Sequence, residues 1–141
     1  MKIFVTTDSE PDFSTIEICA NQKEWQLISD SISQNGITIE TSSVQEICDR
    51  QKDTIVQSFK TLAIVIDDSE EKPEFNISLL NQILKIQGSR QSLENLKEVS
   101  EDFAKKYHKT EDHVHISYID FDDYEYNWFS NKNIELILSV K

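Results

Sequence analysis

The chain has 141 residues, of which 14 are Lys or Arg and 26 are Asp or Glu, so its formal net charge at pH 7 is −12. This charge argues against nucleic acid as a ligand, because phosphate contacts need clustered basic residues, and it disfavours anionic membrane surfaces for the same reason. The length predicts a single domain over residues 1–141, and a hydrophobic fraction of 38% is enough for a packed core. With neither a secretory signal nor a membrane-spanning apolar run, we expect a cytoplasmic protein with Cys19 and Cys48 reduced.

The first part of the chain alternates strand patterns with one well-marked helix. Asn21 and Glu24 have the spacing of a capping box, which predicts the start of a helix, and Gly36 supplies the left-handed residue that ends one. Trp25, Ile28 and Ile32 fall on one face of that helix. Alternating apolar and polar residues predict strands over 2–7, 15–20 and 37–41.

The middle of the chain carries a second capping pattern and the most apolar segment. Ser43 and Glu46 predict a helix whose apolar stripe includes Cys48 and continues to Phe59. The run over 62–66 predicts a central strand that is buried on both faces. It is followed by an acidic loop over 67–74.

The second part of the chain repeats a similar order of elements. Residues 75–86 have extended character, and Gly88 with Ser89 opens a helix. Further strands are predicted over 113–119 and 134–140. The apolar positions of the helix are Leu93, Leu96, Val99 and Phe103.

These elements predict an α+β fold, a two-layer sandwich in which helices cover one face of a mainly antiparallel sheet. Segments 14–67 and 82–140 each run strand, helix, strand, strand. Duplication of one unit explains this order, and so does chance similarity between amphipathic segments. No glycine-rich turn joins a strand to a helix, which argues against a nucleotide-binding fold.

His113 and His115 are the candidates for a metal site, because residues two apart on a strand share a face. His108, Glu111 or Asp112 would have to complete the ligand set. The spacing fixes only two ligands, so ordinary surface histidines are the expected case, and we predict no metal, no cofactor and no catalytic residues.

Acidic residues and aromatic rings mark a candidate docking surface. Alternation places Tyr124, Tyr126 and Trp128 on one strand face, and interfaces favour aromatic anchors within a polar rim. A solvated acidic surface that aids solubility is the alternative interpretation. The predicted partner-binding residues are Asp67, Asp68, Glu70, Glu71, Asp120, Asp122, Asp123, Tyr124, Glu125, Tyr126 and Trp128.

Four features of the carboxyl-terminal part occur in a fixed order: a strand ending in a small-residue turn, a Leu-x-x-Leu helix opening, a His-x-His strand and a final apolar strand. They lie at residues 82–89, 93–96, 113–116 and 134–138. In this order the segment resembles a small family of bacterial immunity proteins, which protect cells from polymorphic or contact-dependent toxins. The resemblance implies a cytoplasmic, non-enzymatic inhibitor of a cognate toxin.

The net charge agrees with this expectation. Many such toxins carry basic clefts, and electrostatic steering would accelerate the association of a chain of charge −12 with a basic cleft. We therefore expect an immunity protein that occludes the basic surface of a toxin domain. A nucleic-acid-mimicking inhibitor of phage origin and a metal-assisted hydrolase built on His113 and His115 are the alternatives.

Overall fold

The computed structural model describes residues 1–7, 14–41, 55–69, 74–105, 108–109, 112–117 and 134–140. Within these ranges the chain forms nine strands and two helices, which confirms the predicted α+β class. In chain order they are β1 (Lys2–Thr7), β2 (Ser14–Ala20), α1 (Gln22–Ser33), β3 (Ile37–Glu40), β4 (Ile55–Ser58), β5 (Thr61–Ile66), β6 (Asn76–Leu80), β7 (Ile83–Gly88), α2 (Glu94–Phe103), β8 (His113–Ser117) and β9 (Ile134–Val140).

The described strands form two sheets, where the sequence predicted one. The five-stranded sheet has the order β4-β1-β2-β9-β8, and the four-stranded sheet has the order β3-β5-β7-β6. Each sheet contains one parallel pair, β2 with β9 and β5 with β7, and the other pairs are antiparallel. Pairing is therefore mainly antiparallel, as predicted.

A sharp corner at Phe59 and Lys60 joins the two sheets. The N–H of Phe59 donates to the carbonyl of Ile3 at 3.2 Å, and the N–H of Lys60 donates to that of Gln82 at 3.0 Å. One chain segment thus leaves the five-stranded sheet as β4 and enters the four-stranded sheet as β5, with the Phe59 ring buried in the core at the bend.

The predicted helix that continues to Phe59 is wrong over residues 55–59. Ile55–Ser58 is strand β4, which pairs with β1. The four-residue spacing of Ile55 and Phe59 fits a helical stripe, but the consecutive β-branched residues Thr54, Ile55 and Val56 favour extended backbone. Residues 42–54, with Ser43, Glu46 and Cys48, lie outside the described ranges.

Apart from β4, the two sheets share one order of strands. In the five-stranded sheet the β1–β2 hairpin is followed by β9 and then β8 from the other half of the chain. In the four-stranded sheet the β6–β7 hairpin is followed by β5 and then β3 in the same way. Two copies of one strand–helix unit that exchange strands would pair in this way. The internal repeat of segments 14–67 and 82–140 stays a prediction.

A shared core fills the space between the sheets and the helix pair. The two helices pack against each other, and Trp25, Ile28 and Ile32 form the buried face of α1, as their spacing predicts. Trp25 also donates from Nε1 to the carbonyl of Ser139 at 3.1 Å, which ties α1 to β9. Neither helix in the described part of the chain is long and apolar enough to cross a membrane.

Two predicted features of the four-stranded sheet and its helix need correction. Residues 62–66 form the predicted central strand, but Val65 is 37% exposed, so β5 is buried on one face only. The helix predicted to open at Gly88 begins at Glu94 instead. Ser89 starts a turn, because its Oγ accepts from the N–H of Ser92 at 3.1 Å, and a local side-chain acceptor of this kind competes with helical pairing.

Candidate functional site

The outer face of the four-stranded sheet exposes large apolar side chains. Along β5 and β7 the alternate residues point into the core, and the others point outward. Among the outward side chains Leu80 is 71% exposed, Ile83 39% and Val65 37%. Leu80 of β6 and Ile83 of β7 lie opposite each other, whereas Val65 pairs with Gln87 further along the sheet. Adjacent exposed apolar groups of this kind are typical of protein-binding surfaces. We call Leu80 and Ile83 the hairpin pair.

A tight turn between β6 and β7 creates the hairpin pair. Asn81 and Gln82 have φ angles of 54° and 63°, and Leu80 lies directly opposite Ile83 in the register of the two strands. Positive φ at both central residues defines a two-residue turn that matches the twist of a hairpin. The pair therefore stands on rigid backbone at one end of the sheet, beside Thr61 of β5.

A cleft lies next to the hairpin pair, where the two sheets meet at the corner. Its volume is about 550 Å³. Both apolar and polar side chains line it, so it offers a partner hydrogen bonds as well as apolar contact. The lining residues are Val5, Ser14, Ser58, Phe59, Leu79, Leu80, Asn81 and Gln82.

Acidic residues flank this outer face at both ends. Glu40 ends β3 opposite Thr61, near the hairpin pair. At the other end Asp67 follows β5, where its N–H donates to the carbonyl of Gly88 at 2.8 Å, and Glu74 precedes β6. The apolar hairpin pair therefore lies at one end of the face beside an acidic residue, two further acidic residues lie at the other end, and Lys85 lies between the two ends on the same face.

Asp67, a predicted docking residue, is held in a local turn. Its Oδ1 accepts from the N–H of Ser69 at 3.0 Å. Hydrogen bonds from the hydroxyl and then the backbone N–H of Ser69 keep the pKa of Asp67 below its usual value. The carboxylate is therefore ionised at neutral pH.

Asp68, the neighbouring predicted residue, is committed to an ion pair with Arg90. The same guanidinium donates to the carbonyl of Gln34 at 2.6 Å and to Oδ1 of Asn35 at 3.1 Å. Arg90 thus joins the loop after β5 to the carboxyl-terminal end of α1 and compensates the charge of Asp68. The sequence analysis missed Arg90, although a planar five-donor side chain beside a turn is a signal for such bridging.

The other predicted docking residues lie outside the described ranges, so their role stays a prediction. They are Glu70, Glu71, Asp120, Asp122, Asp123, Tyr124, Glu125, Tyr126 and Trp128.

His113 and His115 share the exposed face of β8, as their spacing predicts. Their ring centres are 5.0 Å apart, and Nδ1 of His115 lies 2.7 Å from Oε1 of Glu135 on β9. Ile116, on the opposite face, is buried.

The residues expected to complete a metal site do not join this pair. Oδ2 of Asp112 accepts from the N–H of Lys109 at 2.9 Å and lies 3.1 Å from Nδ1 of His108. These contacts, first with Lys109 and then with His108, lower the pKa of Asp112. The other ring nitrogen of His108 is 2.8 Å from Asp102 of α2. In the part of the chain described by the structure, no three side chains converge as metal ligands, and Glu111 lies outside that part.

Comparison with known proteins adds no family assignment. No protein-family model matches the chain, and a search of curated proteins finds no match.

Proposed function

We propose that this protein is a non-enzymatic binding module, an immunity protein that occludes a basic bacterial toxin domain through the outer face of its four-stranded sheet. The observation that carries the proposal is the hairpin pair, with Leu80 71% exposed, on the surface of a chain whose net charge is −12. Exposed aliphatic anchors contribute affinity once they are desolvated, whereas the surrounding charge selects partners of opposite sign.

The acidic residues and the hairpin pair have separate roles in this proposal. Glu40 and Asp67 lie on the rim, where their field acts before contact and accelerates association with a basic surface. Leu80 and Ile83 act after contact, because truncating buried anchors mainly raises the dissociation rate. The predicted docking residues in segment 120–128 lie outside the described ranges, so their part in binding stays a prediction.

Binding to the product of the neighbouring gene tests the proposal. We expect a small basic toxin domain there, and we expect it to bind this chain with 1:1 stoichiometry at low salt. Leu80→Ser should weaken binding about tenfold or more, chiefly through faster dissociation. Leu27→Ser is the matched control, since Leu27 is also exposed, at 42%, but lies on α1.

Charge is tested by Glu40→Gln combined with Asp67→Asn. The double variant should slow association several-fold at low salt, and the difference should fade at high salt, where the Debye length falls to about 3 Å at 1 M. The proposal is wrong if the neighbouring gene encodes no toxin and no basic protein binds. Equal effects of Leu80→Ser and Leu27→Ser would instead move the docking face elsewhere on the molecule.

A further inference from the structure

We propose that His113 and His115 form a chelate for one divalent transition-metal ion on the outer face of the five-stranded sheet, with Glu135 as a positioning residue. This site is independent of the docking face on the four-stranded sheet.

The separation of the two rings fits a shared ion. A metal–nitrogen bond of about 2.1 Å puts each imidazole centre about 3.2 Å from the metal. At a ligand–metal–ligand angle of about 100°, two such rings have centres about 5 Å apart. The observed separation is 5.0 Å. The spacing of the two rings on β8 therefore matches that of two imidazoles bound to one ion.

Glu135 prepares His115 for this role. Nδ1 of His115 lies 2.7 Å from Oε1 of Glu135, and a carboxylate oxygen accepts hydrogen bonds, so this contact selects the tautomer with the proton on Nδ1. In that tautomer the lone pair of Nε2 is the one that can bind a metal ion. A carboxylate that receives the second ring N–H is the usual companion of a metal-binding histidine, because it fixes the tautomer and raises ligand basicity.

Accessibility and ligand type decide which ions can bind. The side chain of His115 is 51% exposed, and His113 is also exposed, so a hydrated ion can reach both rings. Imidazole ligands suit Zn²⁺, Ni²⁺ and Cu²⁺, and affinity rises in the order that places Cu²⁺ highest. Oxygen-preferring Mg²⁺ and Ca²⁺ should not compete.

Calorimetric titration of the untagged full chain tests the site. The protein is first dialysed against a chelator and then titrated with CuCl₂, NiCl₂ or ZnCl₂ alone at about pH 7.5. We expect one ion per chain and the tightest binding for Cu²⁺. An excess of MgCl₂ should leave the titration unchanged.

Four variants assign the ligands. His113→Gln and His115→Gln should each remove the binding event, whereas Glu135→Gln should weaken it about tenfold and leave the stoichiometry at one. His108→Gln is the matched control, because its ring lies between Asp102 and Asp112 and takes no part. Far-UV circular dichroism checks that each variant is folded.

Nuclear magnetic resonance gives a second measurement that needs no variant. In the native chain, substoichiometric Cu²⁺ should broaden the amide signals of His113 and His115 before those of His108. Binding that survives in His113→Gln or His115→Gln, or broadening centred on His108, would overturn the proposal. Failure of the toxin experiment would not affect it, since no partner is present.

Discussion

The side chains of Asn21 and Glu24 close the amino-terminal end of α1 reciprocally. Oδ1 of Asn21 accepts from the N–H of Glu24 at 2.9 Å, and Oε2 of Glu24 accepts from the N–H of Asn21 at the same distance. Two N–H groups that no helical carbonyl can reach are therefore satisfied. This end fixes where Trp25 enters the core.

Replacing the capping side chain should destabilise the whole fold. We expect Asn21→Ala to lower the free energy of unfolding by about 1 kcal/mol, because the N–H of Glu24 loses its acceptor. Urea denaturation followed by circular dichroism measures the change. Lys23→Ala is the control, since Lys23 is exposed on the same helix, and it should change stability by less than about 0.5 kcal/mol. Equal losses in the two variants would mean that the capping box contributes nothing specific.

Contacts between residues close in sequence could be predicted, and those between distant residues could not. The capping box spans three residues, and the left-handed Gly36, with φ of 85°, follows from the helix stop itself. Arg90 and Asp68 are 22 positions apart, so their pairing depends on β5 and β7 lying side by side. Such pairs become visible only when the strand order is known.

At the scale of elements, the β6–β7 hairpin depends on a turn of unfavourable composition. Its central residues, Asn81 and Gln82, both have positive φ, yet only Asn tolerates that backbone well. Asn81 and Gln82 lack the glycine that marks a hairpin turn, so the sequence predicts one extended segment over 75–86 where the structure has two strands. The neighbouring strands, through their pairing and burial, override the local preference.

Restoring the favoured turn residue should stabilise the protein. A side chain in left-handed backbone costs about 1–2 kcal/mol, and glycine costs about 0.5–1 kcal/mol in extra unfolded-state entropy. We therefore expect Gln82→Gly to raise the free energy of unfolding by about 0.5–1 kcal/mol, measured by urea denaturation. Ser78→Gly, within strand β6, is the control and should be destabilising. A loss of stability in Gln82→Gly would show that the Gln82 side chain makes contacts worth more than the relieved strain.

The apolar patterns predicted where strands form more reliably than they predicted which faces of the strands are buried. The alternation in 134–140 and 15–20 matches β9 and β2 closely. The continuous apolar run at 62–66 implied cover on both faces, but β5 has an open outer face, where Val65 is exposed. A continuous apolar run is expected for a strand that is buried on both faces. It is equally expected for a strand that is buried on one face and carries exposed apolar residues on the other, so the sequence pattern does not distinguish the two. The exposed apolar side chain on the outer face of β5 is therefore a feature that the sequence pattern could not reveal.

At the scale of the whole molecule, each sheet is built from strands of both halves of the chain. Neither sheet can therefore form from one half alone. Each parallel pair joins the two halves, and the corner at Phe59 and Lys60 runs through both sheets. Parallel pairings between strands that are far apart in sequence follow from no local pattern. For this reason the sequence predicted one sheet and could not give the strand order.

Net charge also acts on the whole molecule. A formal charge of −12 on 141 residues repels itself in the compact state. Ion pairs oppose this repulsion, as Lys97 with Glu101 at 3.2 Å illustrates, but exposed pairs contribute only about 0–1 kcal/mol each. Added salt screens the repulsion between acidic residues and also the attraction within ion pairs. Because acidic residues outnumber basic ones, we expect the loss of repulsion to be the larger effect.

We therefore expect NaCl to stabilise the isolated protein and to weaken its association with a basic partner. Between about 20 mM and 500 mM NaCl, the urea midpoint should rise, because the Debye length shrinks from about 20 Å to about 4 Å and screens like charges. Association with the toxin domain should slow over the same range. Glu40→Gln with Asp67→Asn is the matched variant, and removing two negative charges should reduce both salt effects. A midpoint that falls with salt would mean that ion pairs such as Lys97–Glu101 outweigh the repulsion, whereas an unchanged association rate would show that the acidic rim does not steer the partner.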